Sequence, residues 1–420
     1  MLFETFKIQP MTIDKLIKAN LPILIGISLM LTLSMGMRQS LGVFMLPLTK
    51  DTGISISEFT LAIAIQNLTW GFLQPWVGAW AGKHGYRYLL LSGSLLYVAG
   101  LTMLAMAHSF LMVLIGAGVL IGLSLSCTGS AMAMAVATRC VSANMRSTIL
   151  GVVSAAGSIG ALIAAPIGQT LSQGDGWRIG VMGFIAMGIC MVPATWFGSK
   201  VDQLPIPPNP GFDNKNAGFV AMHALKHPPF LVMTIAYFVC GMQLVFLTTH
   251  LPTYLEICGL DPMLSAKALG TIGGFNALGS LFFGWLGDRS NKLFVLGLIY
   301  ILRSIGLGFY FYLDPTPNTT LVFAAFMGFL WLGVAPLVTG WLSIAFGLRW
   351  QAMLSGIAFM SHQMGSFVGA LGGGLIYDAL GSYNLAIQVG VWVGLLAGVT
   401  QCIFALTWRQ GPPMLAHSVA

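Results

Sequence analysis

Two arginines, Arg38 and Arg303, lie inside long apolar stretches of the sequence. A charged side chain at the centre of a bilayer costs about 2.5 to 3.5 kcal/mol on insertion scales, so such residues usually have a function. No Asp or Glu lies within any of these stretches, and a bound anion would supply the missing partner through paired hydrogen bonds. Both arginines are therefore predicted to contact an anionic substrate. The alternative is a structural role, in which Arg303 would bind helix-end carbonyls or brace the eighth and eleventh of the spanning helices predicted below.

Uncharged polar side chains and histidines in the same stretches extend this candidate site. The amides predicted to bind substrate are Asn67, Gln243, Asn276 and Gln363. His250 and His362 are the candidates for proton coupling, because a histidine exchanges protons near physiological pH. For all six, hydrogen bonding between helices is the alternative. Tryptophans such as Trp70 and Trp331 are assigned mainly to interfacial belts and lipid-facing packing, with cavity lining as the alternative.

Enzymatic and metal-binding motifs are absent from the sequence. It contains neither His-Glu-x-x-His nor Gly-x-Ser-x-Gly, the arrangements that an intramembrane hydrolase would need. The six cysteines are scattered, without a CxxC pair or zinc-like spacing. We therefore expect no enzyme activity, no metal and no cofactor.

The composition determines the elements that must position these residues. Of 420 residues, 56% are hydrophobic and 7% charged, against roughly 25% charged in a soluble domain. A membrane-spanning helix needs about 20 apolar residues. Twelve such runs are predicted, at 21–48, 56–80, 88–107, 109–135, 147–171, 179–198, 229–253, 263–287, 293–313, 319–346, 352–377 and 384–408. The predicted fold class is an all-α membrane protein with twelve transmembrane helices.

A proline-rich segment divides the chain into two sets of six spans. Residues 199–227 contain Pro205, Pro207, Pro208 and Pro210, a composition that disfavours helix. The predicted domains are an N-terminal bundle at 1–198, a cytoplasmic linker at 199–227 and a C-terminal bundle at 228–420.

Positive charges predict the orientation, since cytoplasmic loops are enriched in Lys and Arg. Of 19 such residues, fourteen fall on the side that carries both termini, including Lys7 and Arg409, and only Lys50, Arg178 and Lys267 on the other. Both termini are predicted to be cytoplasmic, in a multi-pass inner-membrane protein whose first span is retained. Topology thus accounts for the net charge of +7, and no nucleic-acid partner is expected.

A loop motif occurs twice, 206 residues apart. Its first copy runs from Gly78 to Arg87 and its second from Gly284 to Lys292, and the same offset superimposes the two sets of spans. The motif resembles the cytoplasmic signature of the major facilitator superfamily, which implies two pseudo-symmetric six-helix bundles. The corresponding gating residues are Gly78, Lys83, Arg87, Gly284, Asp288 and Arg289. Gly82 replaces the acid of the family pattern, and a topology-setting role is the alternative for the cations.

Shorter strings resemble one bacterial branch of that superfamily. The segments 38–44, 176–178 and 361–367 are similar to relatives of monocarboxylate transporters and oxalate/formate antiporters. The resemblance places Arg38 on a cavity-lining helix and Arg303 on an outer one. Helix eight offers Asn276 and Ser280 where characterised members have a basic residue, and the fifth span matches an antiporter glycine/proline signature only partly.

These observations predict a secondary active transporter for a small organic anion, a mono- or dicarboxylate, that works by alternating access. Proton symport and anion exchange both stay open, as do substrate identity and direction. Its partners would be the anion, the lipid bilayer and, in a symporter, protons, and we expect a monomer. One alternative is efflux of a drug or siderophore. Another is a transport-inactive nutrient sensor, which the short termini disfavour.

Overall fold

The computed structural model describes residues 15–207, 209, 211–212, 214–313 and 315–408. Lys7, Pro208, Pro210 and Arg409, which entered the predictions above, lie outside these residues. The described part is helical and contains no strand. Its twelve long helices are α1 Leu21–Thr52, α2 Ile56–His84, α3 Arg87–Ala105, α4 Phe110–Arg139, α5 Arg146–Asp175, α6 Trp177–Ser199, α7 Pro228–Ile257, α8 Pro262–Arg289, α9 Lys292–Tyr312, α10 Pro317–Phe346, α11 Gln351–Leu380 and α12 Asn384–Thr407.

Each of the twelve predicted apolar runs corresponds to one helix. Ten of the helices are long and apolar enough to cross a membrane. The other two, α2 and α11, have 29 and 30 residues, which also suffices in length, but they carry clusters of polar side chains. These polar clusters face the centre of the molecule, as described below. A short helix, Ala217–Leu225, lies in the connection between α6 and α7.

The two sets of six helices pack in the same way, as the sequence repeat predicts. In the first set α1 packs on α5 and α3 on α6, and in the second α7 packs on α11 and α9 on α12. The sets meet along two equivalent lines, where α2 packs on α11 and α5 packs on α8. We call these lines the α2–α11 seam and the α5–α8 seam. The fold is therefore two pseudo-symmetric six-helix bundles joined along two seams.

Three of the helices depart from regular α-geometry along their length. The α1 helix contains a 3₁₀ turn at Leu41–Phe44, and α4 contains a π-helical stretch at Leu114–Leu120. In α10 the helix is interrupted between Phe329 and Val334. Irregular backbone at membrane depth is tolerated where it is buried in protein or lines a cavity. All three breaks lie in helices that surround the central cavity described below.

The α5–α8 seam is closely packed toward one end of the bundle. Twelve crossings place both termini at one end, which we call the terminus-bearing face. On α8, Gly284 and Ser280 contact α5 so closely that a Cβ built on Gly284 would lie 2.6 Å from the Ser147 carbonyl. Gly273 lies on the same side of α8, seven residues before Ser280, yet a Cβ on Gly273 would meet no atom within 4 Å. The α5–α8 seam is therefore closely packed at Gly284, whereas the surface of α8 at Gly273 is open.

Candidate functional site

A cavity of about 410 Å³ lies between the two halves. Its walls come from α1, α2, α4 and α5 of the first half and from α7, α8, α10 and α11 of the second. Among the predicted site residues, the cavity is lined by Arg38, Asn67, Asn276, His362 and Gln363. A central site formed by both halves is where pseudo-symmetric transporters bind their substrates.

Arg38 contributes the cavity's fixed positive charge. Its guanidinium donates a hydrogen bond to Asn67 Oδ1 and lies 5.0 Å from the ring centre of Trp70. Arg38 Nε is buried and has no hydrogen-bond partner among the described residues. None of the described residues that line the cavity is Asp or Glu. The cavity is therefore electropositive and retains hydrogen-bonding capacity for an anion.

The amides around Arg38 are partly fixed by the helices that carry them. Gln363 Nε2 donates to the Asn67 carbonyl at 3.1 Å, which joins α11 to α2 across the seam. Asn276 Oδ1 accepts a hydrogen bond from the Leu332 N–H at 2.8 Å, where α10 is interrupted. Asn276 thus satisfies a backbone donor that the broken helix would otherwise leave unpaired.

Arg303 and Gln243 lie outside the cavity. Arg303 is fully buried, and its guanidinium donates to Cys240 Sγ at 3.2 Å, the Cys240 carbonyl at 3.3 Å and Gln243 Oε1 at 3.4 Å. Gln243 Nε2 in turn donates to Ser304 Oγ at 2.8 Å and the Gly390 carbonyl at 3.0 Å. This network joins α9 to α7 and α12. The structural role that the sequence suggested for Arg303 was instead to brace α8 and α11. The observed partners differ because the guanidinium lies on the side of α9 that packs against α7.

The two histidines have different surroundings. His362 faces the cavity, with its ring 4.8 Å from the Tyr237 ring and Nδ1 3.4 Å from Gln363 Oε1. His250 is buried away from the cavity, between Tyr383 Oη at 3.2 Å from Nδ1 and the Ala370 carbonyl at 2.9 Å from Nε2. Both ring nitrogens of His250 thus contact neighbouring residues, Ala370 on α11 and Tyr383 just before α12, whereas His362 borders the cavity.

Aromatic residues form a wall of the cavity that the sequence assigned mainly to interfacial belts and packing. Those that line it are Trp70, Tyr237, Trp331, Phe359 and Phe367. For Trp70 and Trp331 the cavity-lining alternative therefore applies. On α11 the spacing Phe359, His362, Gln363, Ser366 and Phe367 follows one helix face, a signal that was readable beforehand.

At the terminus-bearing face, the second motif copy joins the two halves. Asp288 accepts hydrogen bonds from the N–H groups of Ser147 at 2.8 Å and Thr148 at 2.7 Å. These are free donors at the start of α5, where a carboxylate is stabilised by the helix dipole. Nearby, Arg146 donates to Ser343 Oγ on α10 at 3.2 Å. The α5–α8 seam is therefore fastened by a charged helix cap between the halves.

The first motif copy makes close backbone contact instead. A Cβ on Gly78 would lie 2.5 Å from the Met353 nitrogen, and one on Gly82 would lie 2.6 Å from the Arg349 carbonyl. The Gly82 carbonyl accepts from Arg349 Nε at 3.3 Å. Glycine at position 82 thus lets α2 approach the start of α11, where the N-cap residue Trp350 makes no side-chain cap.

The remaining motif cations lie on the protein surface. The Arg87 guanidinium stacks on Trp196 at 4.6 Å, the Arg289 guanidinium stacks on Trp285 at 4.6 Å, and Lys83 is exposed.

Asp202, which sequence reasoning missed, accepts hydrogen bonds from the N–H groups of Tyr86 and Arg87 and pairs with Arg139 at 3.8 Å. Burial beside this cluster raises the pKa of Tyr86 to about 12.

Comparison with known proteins identifies the family. The family model described as Major Facilitator Superfamily matches residues 27–370. The chain belongs to the Major Facilitator Superfamily. The uncharacterized MFS-type transporter YcxA of Bacillus subtilis is 26% identical over 86% of this chain and 89% of its own. The purine ribonucleoside efflux pump NepI of Salmonella typhimurium is 27% identical over 82% of this chain and 84% of its own.

Solved structures of the superfamily share the fold. The fucose:proton symporter FucP of E. coli, in its outward conformation, has a TM-score of 0.70 at 16% identity, covering 93% of this chain and 99% of its own. Membership makes this chain a multi-pass membrane transporter rather than an enzyme. The names of these relatives do not mention monocarboxylate or oxalate/formate transport, so that finer relation stays a prediction.

Proposed function

We propose that this superfamily member transports a small organic anion, a mono- or dicarboxylate, across the inner membrane. The main support is the position of Arg38, whose guanidinium faces the central cavity with no acidic residue among the described lining. An anion that binds there would neutralise a charge for which the protein supplies only an amide and an aromatic ring. A cationic substrate would be repelled by the same charge.

Alternating access would follow from the two seams. We infer that the cavity opens toward the face opposite the termini, because Gly273, on the same side of α8 as Gly284, has open space around it. With cytoplasmic termini, as the charge distribution predicts, this is an outward-open state. We propose that the halves 1–198 and 228–420 tilt about the cavity, with residues 199–227 as their connection. Opening to the inside would require Asp288 to release the start of α5.

Proton coupling and anion exchange remain the two candidate modes. For symport, His362 is the proposed proton carrier, since it borders the cavity next to Gln363 and Tyr237. Arg303, Gln243 and His250 are proposed as positioning residues. They hold α7 against α9, α11 and α12, and α7 carries Cys240 and Tyr237 into the cavity wall.

The two arginines offer a matched test. We expect Arg38→Gln to weaken binding of carboxylates by about 10- to 100-fold, because charged hydrogen bonds contribute roughly 1.5 to 3 kcal/mol. Arg303→Gln should leave affinity within about threefold, since Arg303 lies outside the cavity, although it should change thermal stability. The measurement is calorimetric titration of a carboxylate panel on purified protein. Unchanged affinity in Arg38→Gln would refute the anion site.

Efflux is the second candidate function, and relatives favour it. NepI is named a purine ribonucleoside efflux pump and is similar to this chain over most of its length. The amides and aromatic rings of the cavity would suit a neutral planar substrate without help from Arg38. Transport assays in right-side-out and everted vesicles distinguish the two. Uptake of a nucleoside only into everted vesicles, unaffected by Arg38→Gln, would favour efflux over anion transport.

A further inference from the structure

We infer that the cavity selects anions in which the carboxylate is attached to a planar aromatic ring, in preference to aliphatic acids of the same charge. This inference rests on the proposed anion transport and names the substrate class. It follows from how charge and aromatic surface are distributed over the two halves of the cavity.

The charged end of the cavity belongs to the N-terminal half. Arg38 on α1 and Asn67 on α2 lie together there, and the Trp70 ring lies beneath the guanidinium. A carboxylate bound by Arg38 would therefore stay close to α1 and α2. Its two oxygens can accept a pair of parallel hydrogen bonds from the guanidinium donors that Asn67 does not use.

The aromatic wall belongs mostly to the C-terminal half. Tyr237 comes from α7, Trp331 from α10, and Phe359 and Phe367 from α11. All four rings line the cavity, and none of them is fully buried. Large aromatic surface exposed inside a cavity is typical of ligand sites, where it is covered by the ligand.

The rings form a continuous series that starts at the guanidinium. Trp70 and Phe359 have their centres 4.5 Å apart, and Phe359 lies nearly parallel to His362, with a 9° interplanar angle and 5.8 Å between centres. The His362 and Tyr237 rings are 4.8 Å apart. A ring attached to a bound carboxylate would extend along this series and stack on its faces or meet its edges.

The size of the cavity supports the same conclusion. A volume of about 410 Å³ lies in the range of sites for drug-sized ligands. An acid of two or three carbon atoms would contact Arg38 and leave the aromatic wall facing water. A ring-bearing acid would instead contact both halves at once, with the carboxylate on the first and the ring on the second.

Paired ligands that differ only in aromaticity test the inference. The probes are benzoate with cyclohexanecarboxylate and 2-naphthoate with its decahydro counterpart, and benzamide is the neutral control. We expect each aromatic acid to bind about 3- to 10-fold more tightly than its saturated partner, by calorimetric titration of the full chain in nanodiscs. The saturated rings are the more hydrophobic, so burial of apolar surface alone would give the opposite order.

Variants localise the effect. Phe359→Leu should bring the affinity ratio toward one, and Phe367→Leu serves the same purpose if the first variant does not fold. Phe309→Leu is the matched control, because Phe309 on α9 is 68% exposed and lies outside the cavity. In Phe309→Leu the ratio of aromatic to saturated affinities should be unchanged.

The possible failures are distinguishable. Equal affinity for aromatic and saturated acids would overturn the aromatic preference while leaving anion transport intact. Absence of binding for all four acids would overturn the inference, while the carboxylate panel described above still tests anion transport. Benzamide binding as tightly as benzoate would overturn the anion site itself. A ratio that persists in both Phe359→Leu and Phe367→Leu would reject the aromatic wall as its source.

Discussion

Arg38 is held in place but not neutralised. Asn67 accepts one of its hydrogen bonds and Trp70 covers one face, yet no carboxylate among the described lining residues balances its charge. The empty cavity therefore contains a partly desolvated cation, which raises the free energy of the unliganded state. Binding an anion relieves this cost, so the same residue would provide both affinity and a preference for occupied over empty conformations.

The histidines permit a prediction at the same scale. We expect His362→Gln to remove the dependence of uptake on external pH, because His362 is placed at the cavity where a proton and the substrate would meet. His250→Gln should keep that dependence and lower thermal stability, since it breaks contacts with Tyr383 and Ala370. The measurement is uptake between pH 5.5 and 7.5 in proteoliposomes. Persistent pH dependence in His362→Gln would exclude it as the carrier.

Sequence reasoning identified the buried cations but not their directions. Arg38 and Arg303 give the same signal, a guanidinium in an apolar run without a nearby acid. Only the packing of α9 against α7 and α12 shows that Arg303 is enclosed, with Cys240 and Gln243 as its partners. Side-chain direction in a fully apolar helix depends on tertiary neighbours, because hydrophobic periodicity is weak when nearly every position is apolar.

Between elements, the cap from Asp288 to the start of α5 links the two halves. We expect Asp288→Asn to shift the population away from the state closed at the terminus-bearing face, because a neutral amide loses the charge-dipole attraction, about 0.3 to 1 kcal/mol, and some hydrogen-bond strength. Distances between spin labels across this face should lengthen or broaden relative to the parent protein.

Asp261 provides the control for this experiment. It caps the start of its own helix, α8, through the Met263 N–H at 2.9 Å, at the opposite face. Asp261→Asn is the same chemical change at a helix start, but it joins no residues of different halves. Its spin-label distances should match the parent. An identical shift in both variants would show that the effect comes from helix stability and not from the seam.

Helix capping was partly predictable at this scale. The repeated motif identified Asp288 as a gating residue, and the structure shows that this residue caps the start of α5. It also identified Gly82 as a departure, but not Asp202, which caps α3 through Tyr86 and Arg87. That contact joins residues 116 positions apart, and a linker acid carries no periodic signal that would reveal it.

At the scale of the whole molecule, the open face can be located by chemical labelling. We expect Gly273→Cys to react with a membrane-impermeant maleimide added outside intact cells, because a side chain there meets open space. Gly284→Cys should be protected, since it is enclosed by Ser147 and Gly151. Mass spectrometry of the labelled peptides is the readout. Labelling of Gly273→Cys only in everted vesicles would reverse the proposed orientation.

The sequence predicted the twelve helices and their duplication, but it did not predict the face toward which the cavity opens. Apolar runs of about 20 residues and a 206-residue repeat suffice for the architecture. The open and closed ends differ instead by which glycines meet a neighbouring backbone, as Gly284 does and Gly273 does not. Two such packings of one sequence differ by only a few kcal/mol, and no local pattern records that difference.

The unequal fastening of the two seams has a mechanical consequence. A carboxylate clamps α8 to α5, while the equivalent position opposite α11 is occupied by Gly82. Among the described residues the α2–α11 seam has no such cap, so we expect it to part first when the terminus-bearing end opens, while the halves rotate about the α5–α8 seam. Substrate would then leave between α2 and α11, and the exit route would be asymmetric although the architecture is nearly twofold symmetric.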